Sequence, residues 1–159
     1  MRALIQRVAR ASVIVDDRIT GHIDSGLLVF LGIRTGDTEE EAAYLAARVA
    51  ALRIFNDSEG KMNLSVRETG GKILVVSQFT LHADTRKGNR PSFVDAAEPV
   101  LAEQLYEYFL TQCRTLHGAD SVSAGVFRAM MRVELVNDGP VTLLLGSKSE
   151  YAQEPGIRL

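Results

Sequence analysis

One short stretch of the chain concentrates groups able to do chemistry: Ser77-Gln78-Phe79-Thr80-Leu81-His82. A hydroxyl attacks an acyl carbon efficiently only when a neighbouring base takes its proton. Ser77 and His82 are separated by an odd number of positions, so on an extended strand they fall on opposite faces unless a bulge intervenes. Thr80 has no evident base beside it. Two readings stand: a plain polar strand end, or an end that presents Ser77, Gln78 and Thr80 to a ligand.

Other chemistries lack their signatures. The chain contains no glycine-rich dinucleotide fingerprint, no phosphate-binding loop and no Gly-x-Ser-x-Gly elbow. His22, His82 and His117 lack ligand spacing, so no metal is expected, and no cofactor. The single cysteine, Cys113, can form no internal disulfide and reads as a buried helix residue. Asn137-Asp138-Gly139-Pro140 is composed of turn-forming residues and reads as a hairpin turn.

Several elements must position these groups. Ser12–Val15 and Arg18–Ile23, around Asp16-Asp17, read as a β-hairpin. Leu27–Ile33 is an apolar run of strand length and should be a central strand covered on both faces. Thr38 and Glu41 have capping-box spacing, opening a helix whose stripe runs through Ala42, Leu45, Val49 and Leu52. Asn56–Gly60 reads as a turn, and Lys72–Leu81 as a strand that turns polar at its carboxyl end. A second helix should start near Pro99, run through Leu101, Leu105, Phe109 and Leu116, and stop at Gly118. Met131–Val136 and Val141–Leu145 then read as two strands flanking the turn. Past Gly146 the polar tail should fray unless a partner holds it.

With 159 residues, 46% of them hydrophobic, the chain suffices for one core. The expected division is a single domain over 1–146 and a tail over 147–159. Charge interrupts the amino-terminal segment before any membrane span can form, which implies a soluble, cytoplasmic protein. A net charge of −2 supplies no global field for a polyanion. A nucleic acid would need a local patch, for which Arg86-Lys87-Gly88-Asn89-Arg90 is the candidate; a merely solvated loop is an equally good reading.

Taken together, Val76-Ser77-Gln78-Phe79-Thr80-Leu81 and Asn137-Asp138-Gly139-Pro140-Val141-Thr142 resemble the two signature motifs of the D-aminoacyl-tRNA deacylase family. The similarity extends to Met1–Arg7, Leu52–Phe55, Gly60–Leu64, Ala83–Gly88 and Arg90–Phe93, and so spans most of the chain.

The resemblance implies a compact α/β deacylase fold, with antiparallel barrel-like sheets and helices packed outside. It implies a homodimer that hydrolyses D-aminoacyl-tRNA, and glycine mischarged on tRNA-Ala, at the tRNA 3′ end. The main chain at Phe79–Thr80 would stabilise the oxyanion, with Ser77 and Gln78 shaping the site and the tRNA ribose assisting water. A cis Gly139-Pro140 would enter the partner's site and exclude L-residues, held by Arg7. Phe127 and Met131 would receive the terminal adenine. Two positions depart from the family pattern: Arg128 stands where Gly is frequent, and His82 where Tyr is common.

Overall fold

The computed structural model describes residues 1–153. The long strand β1 (Arg2–Val15) organises the sheet, pairing antiparallel with β2 (Arg18–Ile23) along its second half and with β3 (Gly26–Gly32) along its first. Asp16 and Asp17 both adopt positive φ, 47° and 58°. Two such residues make the tight turn whose twist matches a hairpin, and Asp tolerates that conformation better than most side chains.

Helix α1 (Glu39–Ala50) follows, then the small ribbon of β4 (Phe55–Asn56) and β5 (Met62–Leu64). The Thr38 N–H donates to the Glu41 carboxylate at 3.2 Å, the returning half of the expected capping box. Strand β6 (Lys72–Ser77) lies parallel to β3, and α2 (Pro99–His117) carries the chain across to β7 (Val122–Ala124), parallel to β6. Strand β8 (Arg132–Gly146) returns antiparallel to β1, and α3 (Lys148–Gln153) follows. The α/β class is as expected, with a sheet of mixed direction.

The sheet curls until its ends approach. A Cβ on Gly21 of β2 would lie 2.7 Å from the Ala124 carbonyl of β7, and Ser123 Oγ donates to the His22 carbonyl at 3.1 Å. Inside the curl pack Val8, Val13, Leu28, Leu74 and Val76; outside, Leu27, Ile73 and Val75 meet Leu45, Val49 and Phe109 of the helices. Because successive side chains alternate between faces, a strand buried on both sides must be apolar throughout. That explains the unbroken runs in β3 and β6. Phe109 is fully buried, so Phe109→Ala would cost about 3–5 kcal/mol.

Four expectations are corrected. Both halves of β8 pair with β1 in the same direction, from Ile14↔Arg132 to Arg2↔Gly146, so the chain never reverses at Asn137–Pro140 and no hairpin forms. The turn residues instead form a bulge in one long strand. Strand β6 ends at Ser77, and Phe79–His82 winds into a 3-10 turn, so opposite-face counting does not apply to His82. Leu116 lies at the open end of α2 and is exposed, whereas Tyr106, Leu110 and Cys113 complete its buried face. Finally, Ser147 and Glu150 are buried: the Met1 ammonium donates to Ser147 Oγ at 3.1 Å, and Arg2 Nε donates to Glu150 at 2.6 Å. These contacts hold the start of the tail; 154–159 lie outside the described residues.

Candidate active site

The bulge sits opposite a single residue of β1. The register steps from Gln6↔Thr142 to Val8↔Asn137, leaving Arg7 facing Asp138, Gly139, Pro140 and Val141. Arg7 is buried, and its guanidinium donates to the Asp138 carbonyl at 3.1 Å and the Ile54 carbonyl at 2.6 Å. Its Nε also lies 3.1 Å from the Asp138 carboxylate. Asn137 braces the same segment, donating through Nδ2 to Arg7 O at 3.1 Å and Val141 O at 3.0 Å. The carbonyls of Arg7, Asp138 and Val141, which the bulge takes out of the regular ladder, are thereby given partners, while Asp138, Gly139 and Pro140 lie exposed. The Gly139-Pro140 bond is cis and Gly139 has φ +140°.

The second motif turns at the end of β6. Gln78 N–H donates to the Leu31 carbonyl at 2.8 Å, the last bond of the β3–β6 pairing. The chain then enters the 3-10 turn, whose first N–H groups have no partner within the turn itself. Among the described residues, no acceptor takes the N–H of Phe79 or Thr80. Gln78 Nε2 donates to Thr80 Oγ1, occupying the hydroxyl. The Phe79 ring meets Phe93 edge-on, with centroids 5.0 Å apart.

A cavity of about 550 Å³ opens beside this turn. Ser77, Gln78 and Phe79 form one wall, Phe127 and Met131 another, and Pro99 and Ala102 of α2 contribute a third. Phe127 is fixed by Tyr106, with centroids 5.8 Å apart, and the Tyr106 hydroxyl donates to the Val75 carbonyl at 2.9 Å. Tyr106 and Phe93 are supporting residues that sequence reasoning missed. Their aromatic character was the only signal, and it could equally mark general core packing.

The structure thus gathers Ser77, Gln78, Phe79, Phe127 and Met131 around one space. Thr80 does not line it, and neither do Gly139 and Pro140, which project from β8. Among the described residues no dyad forms with Ser77: His82 is buried, burial lowers its pKa, and its Nε2 has no hydrogen-bond partner there. His117 Nε2 is engaged with the Gly71 carbonyl at 2.8 Å, at the start of β6, whereas Ser77 lies at its other end. Burial raises Cys113 to about 12, which keeps the thiol protonated, in line with a packing role.

This architecture recurs among solved structures. One described as a probable eukaryotic D-amino acid tRNA deacylase superposes with a TM-score of 0.77 at 18% identity, over 91% of this chain and 97% of that one, a likeness of fold. A c-Myc DNA Unwinding Element Binding Protein gives a TM-score of 0.89 at 41% identity, over 92% of this chain and 99% of that one. The model of the D-Tyr-tRNA(Tyr) deacylase family matches residues 4–146. Curated proteins named D-aminoacyl-tRNA deacylase are similar along nearly their whole length. That of Koribacter versatilis is 58% identical, covering 95% of this chain and 100% of the relative. That of Salmonella agona is 57% identical, covering 91% and 99%. The chain belongs to the D-aminoacyl-tRNA deacylase family, a family of ester hydrolases. Among the described residues, no helix is long and apolar enough to cross a membrane.

Proposed function

We propose that this protein hydrolyses the ester joining a D-amino acid, or glycine mischarged on tRNA-Ala, to the terminal ribose of tRNA. The observation that supports the mechanism is the pair of N–H groups at Phe79 and Thr80 that have no acceptor among the described residues, beside a cavity in which the described residues place no activated nucleophile. Water attacks the ester carbon, assisted by the neighbouring ribose hydroxyl. The resulting oxyanion accepts from the main chain. The acyl C–O bond to the ribose then breaks and the departing ribose oxygen takes a proton, releasing free amino acid and tRNA. Fixed donors of this kind act on the charge that develops in the transition state and need no side-chain base.

Ser77 and Gln78 shape the wall, Thr80 positions Gln78, and Phe127 with Met131 receives the terminal adenine. Gly139 and Pro140 complete the site of a second copy, their carbonyls occupying the space an L side chain would need. Supporting a homodimer, β8 pairs with β1 alone among the described strands and exposes Val136, Leu143 and Leu144. The reaction belongs to the cytoplasm, where charged tRNA is used.

The decisive experiment compares D-tyrosyl-, glycyl-, L-tyrosyl- and L-alanyl-tRNA with the purified protein, with sedimentation run in parallel. Cleavage of the first two alone, by a dimer, is the expected result. Hydrolysis of L-tyrosyl-tRNA at a comparable rate, or of none, would overturn the reading.

A further inference from the structure

Within the cavity lining one residue is out of keeping with its backbone. Val126–Ala129 forms a turn closed by a hydrogen bond from Ala129 N–H to the Val126 carbonyl at 3.2 Å, and Arg128 occupies its third position with φ +61°. A turn with positive φ there favours glycine, because a Cβ crowds the following carbonyl. Among the described residues that line the cavity, Arg128 alone is charged. Its side chain is exposed, and among the described residues it has neither a hydrogen-bond nor an ion-pair partner.

The surroundings over-determine this conformation. Gly125 N–H donates to the Val75 carbonyl at 2.8 Å, and Phe127 packs against Tyr106. A Cβ on Gly125 would lie 2.8 Å from Met131 Sδ, so this side of the turn is closely packed. Strained backbone persists where its surroundings enforce it, and such positions cluster at ligand sites. A cation held in strained backbone at the rim of an otherwise uncharged cavity calls for an anion. A guanidinium pairs with phosphate through two parallel N–H donors.

We propose that Arg128 binds a backbone phosphate of the nucleotides that lead into the cavity, anchoring the acceptor end of the RNA beside Phe127 and Met131. The inference rests on the deacylase reading for the identity of the ligand. The partner is a phosphodiester, with the terminal nucleoside in the cavity and the phosphate at its rim. Arg128 acts in binding, and the ester chemistry is left to the main chain across the cavity.

The test is Arg128→Gly, which fits the turn better and therefore folds. Steady-state hydrolysis is measured on D-tyrosyl-tRNA and on D-tyrosyl-adenosine, which lacks any phosphate. The expected result is a KM for the tRNA ester raised about tenfold with little change in kcat, a much smaller effect on the adenosine ester, and a thermal midpoint equal to or above that of the parent. The salt dependence of log(kcat/KM) becomes shallower by about 0.7 to 0.9, the loss of one phosphate contact. Arg128→Lys keeps the charge but loses the fork, so its KM for the tRNA ester falls between those of the parent and Arg128→Gly, with the parent's salt slope. An unchanged KM for the tRNA ester, or equal losses on both esters, would overturn the proposal. If the parent protein cleaved neither ester, the deacylase reading would fail instead. Salt-dependent binding of uncharged tRNA to the parent and Arg128→Gly then decides the phosphate contact: equal affinity and equal slope reject it.

Discussion

Arg7 and Asp138 lie 131 positions apart in the chain, yet one guanidinium nitrogen, Arg7 Nε, sits 3.1 Å from both the Asp138 carbonyl and its carboxylate. This relationship holds the bulge of β8 against β1 and fixes where Gly139 and Pro140 project.

Arg7→Lys keeps the charge and loses the fork. The Ile54 and Asp138 carbonyls are held by two different guanidinium nitrogens, which one ammonium replaces with a single atom, and losing a charge-assisted bond at a buried site costs about 1.5–3 kcal/mol. Urea unfolding should show a loss of that size, with activity falling more steeply than folded fraction. An unchanged midpoint would mean that the bulge holds itself.

Gly139→Ala introduces a Cβ 2.7 Å from Val141 Cγ2 and 2.8 Å from Val141 N, on backbone at φ +140°. Something must shift. The expected outcome is a fall in kcat/KM of at least about tenfold, equivalent to a barrier increase of about 1.4 kcal/mol, with the circular dichroism spectrum preserved. Full activity in this variant would show that the segment does not border the reacting group.

Thr80→Ala should keep turnover within about tenfold of the parent, because the proposed donor at this position is the backbone N–H, which alanine retains. Removing a true oxyanion donor costs about 100- to 1,000-fold, so a loss on that scale would return the hydroxyl to consideration as a nucleophile or donor. Single-turnover kinetics would separate the two, since a nucleophile leaves an acyl-enzyme and a donor does not.

His82 gives a pH signature. Burial lowers its pKa below the ordinary 6.5, so as pH falls through that value the unfolded chain takes up a proton that the folded chain resists. The unfolded state binds more protons, and stability therefore declines as pH drops from 7.5 towards 5.5. Replacing this buried ring by phenylalanine should flatten that part of the profile in urea titrations. Equal slopes for parent and His82→Phe would place the acid sensitivity elsewhere.

Much of the fold was legible because its elements are local and periodic. Thr38 with Glu41, Pro99 and Gly118 as the two ends of one helix, and the apolar run Leu27–Ile33 are each local signals. The misread segments depend on distant partners. Asn137–Pro140 has the composition of a hairpin, and only its pairing with β1 on both sides makes it a bulge. Strand β6 stops at Ser77 because of what the backbone does next, which hydrophobic alternation does not encode. Of the two motifs, Ser77–Phe79 line the cavity and Asn137–Pro140 do not, and the roles that the family resemblance assigns to both are expectations that periodicity could not supply. The left-handed φ of Arg128 showed only as a departure from the glycine frequent in the family, and the bracing of Phe79 and Phe127 by Phe93 and Tyr106 belongs to three-dimensional packing and left no comparable mark.

The dependence of β1 on β8 has a consequence for synthesis. A ribosome makes Arg2–Val15 first and Arg132–Gly146 more than a hundred residues later, so the strand that carries Arg7 must wait for its longest partner. Contacts of such large sequence separation pay their loop-closure entropy before they give any return, which makes the final pairing a slow step. The emerging chain can form β1–β2 and β1–β3 early, but the segment bearing Gly139 docks only after Arg132–Gly146 has left the exit tunnel. Maturation of this sheet is therefore gated by β8, and until that strand docks one edge of β1 stays unpaired.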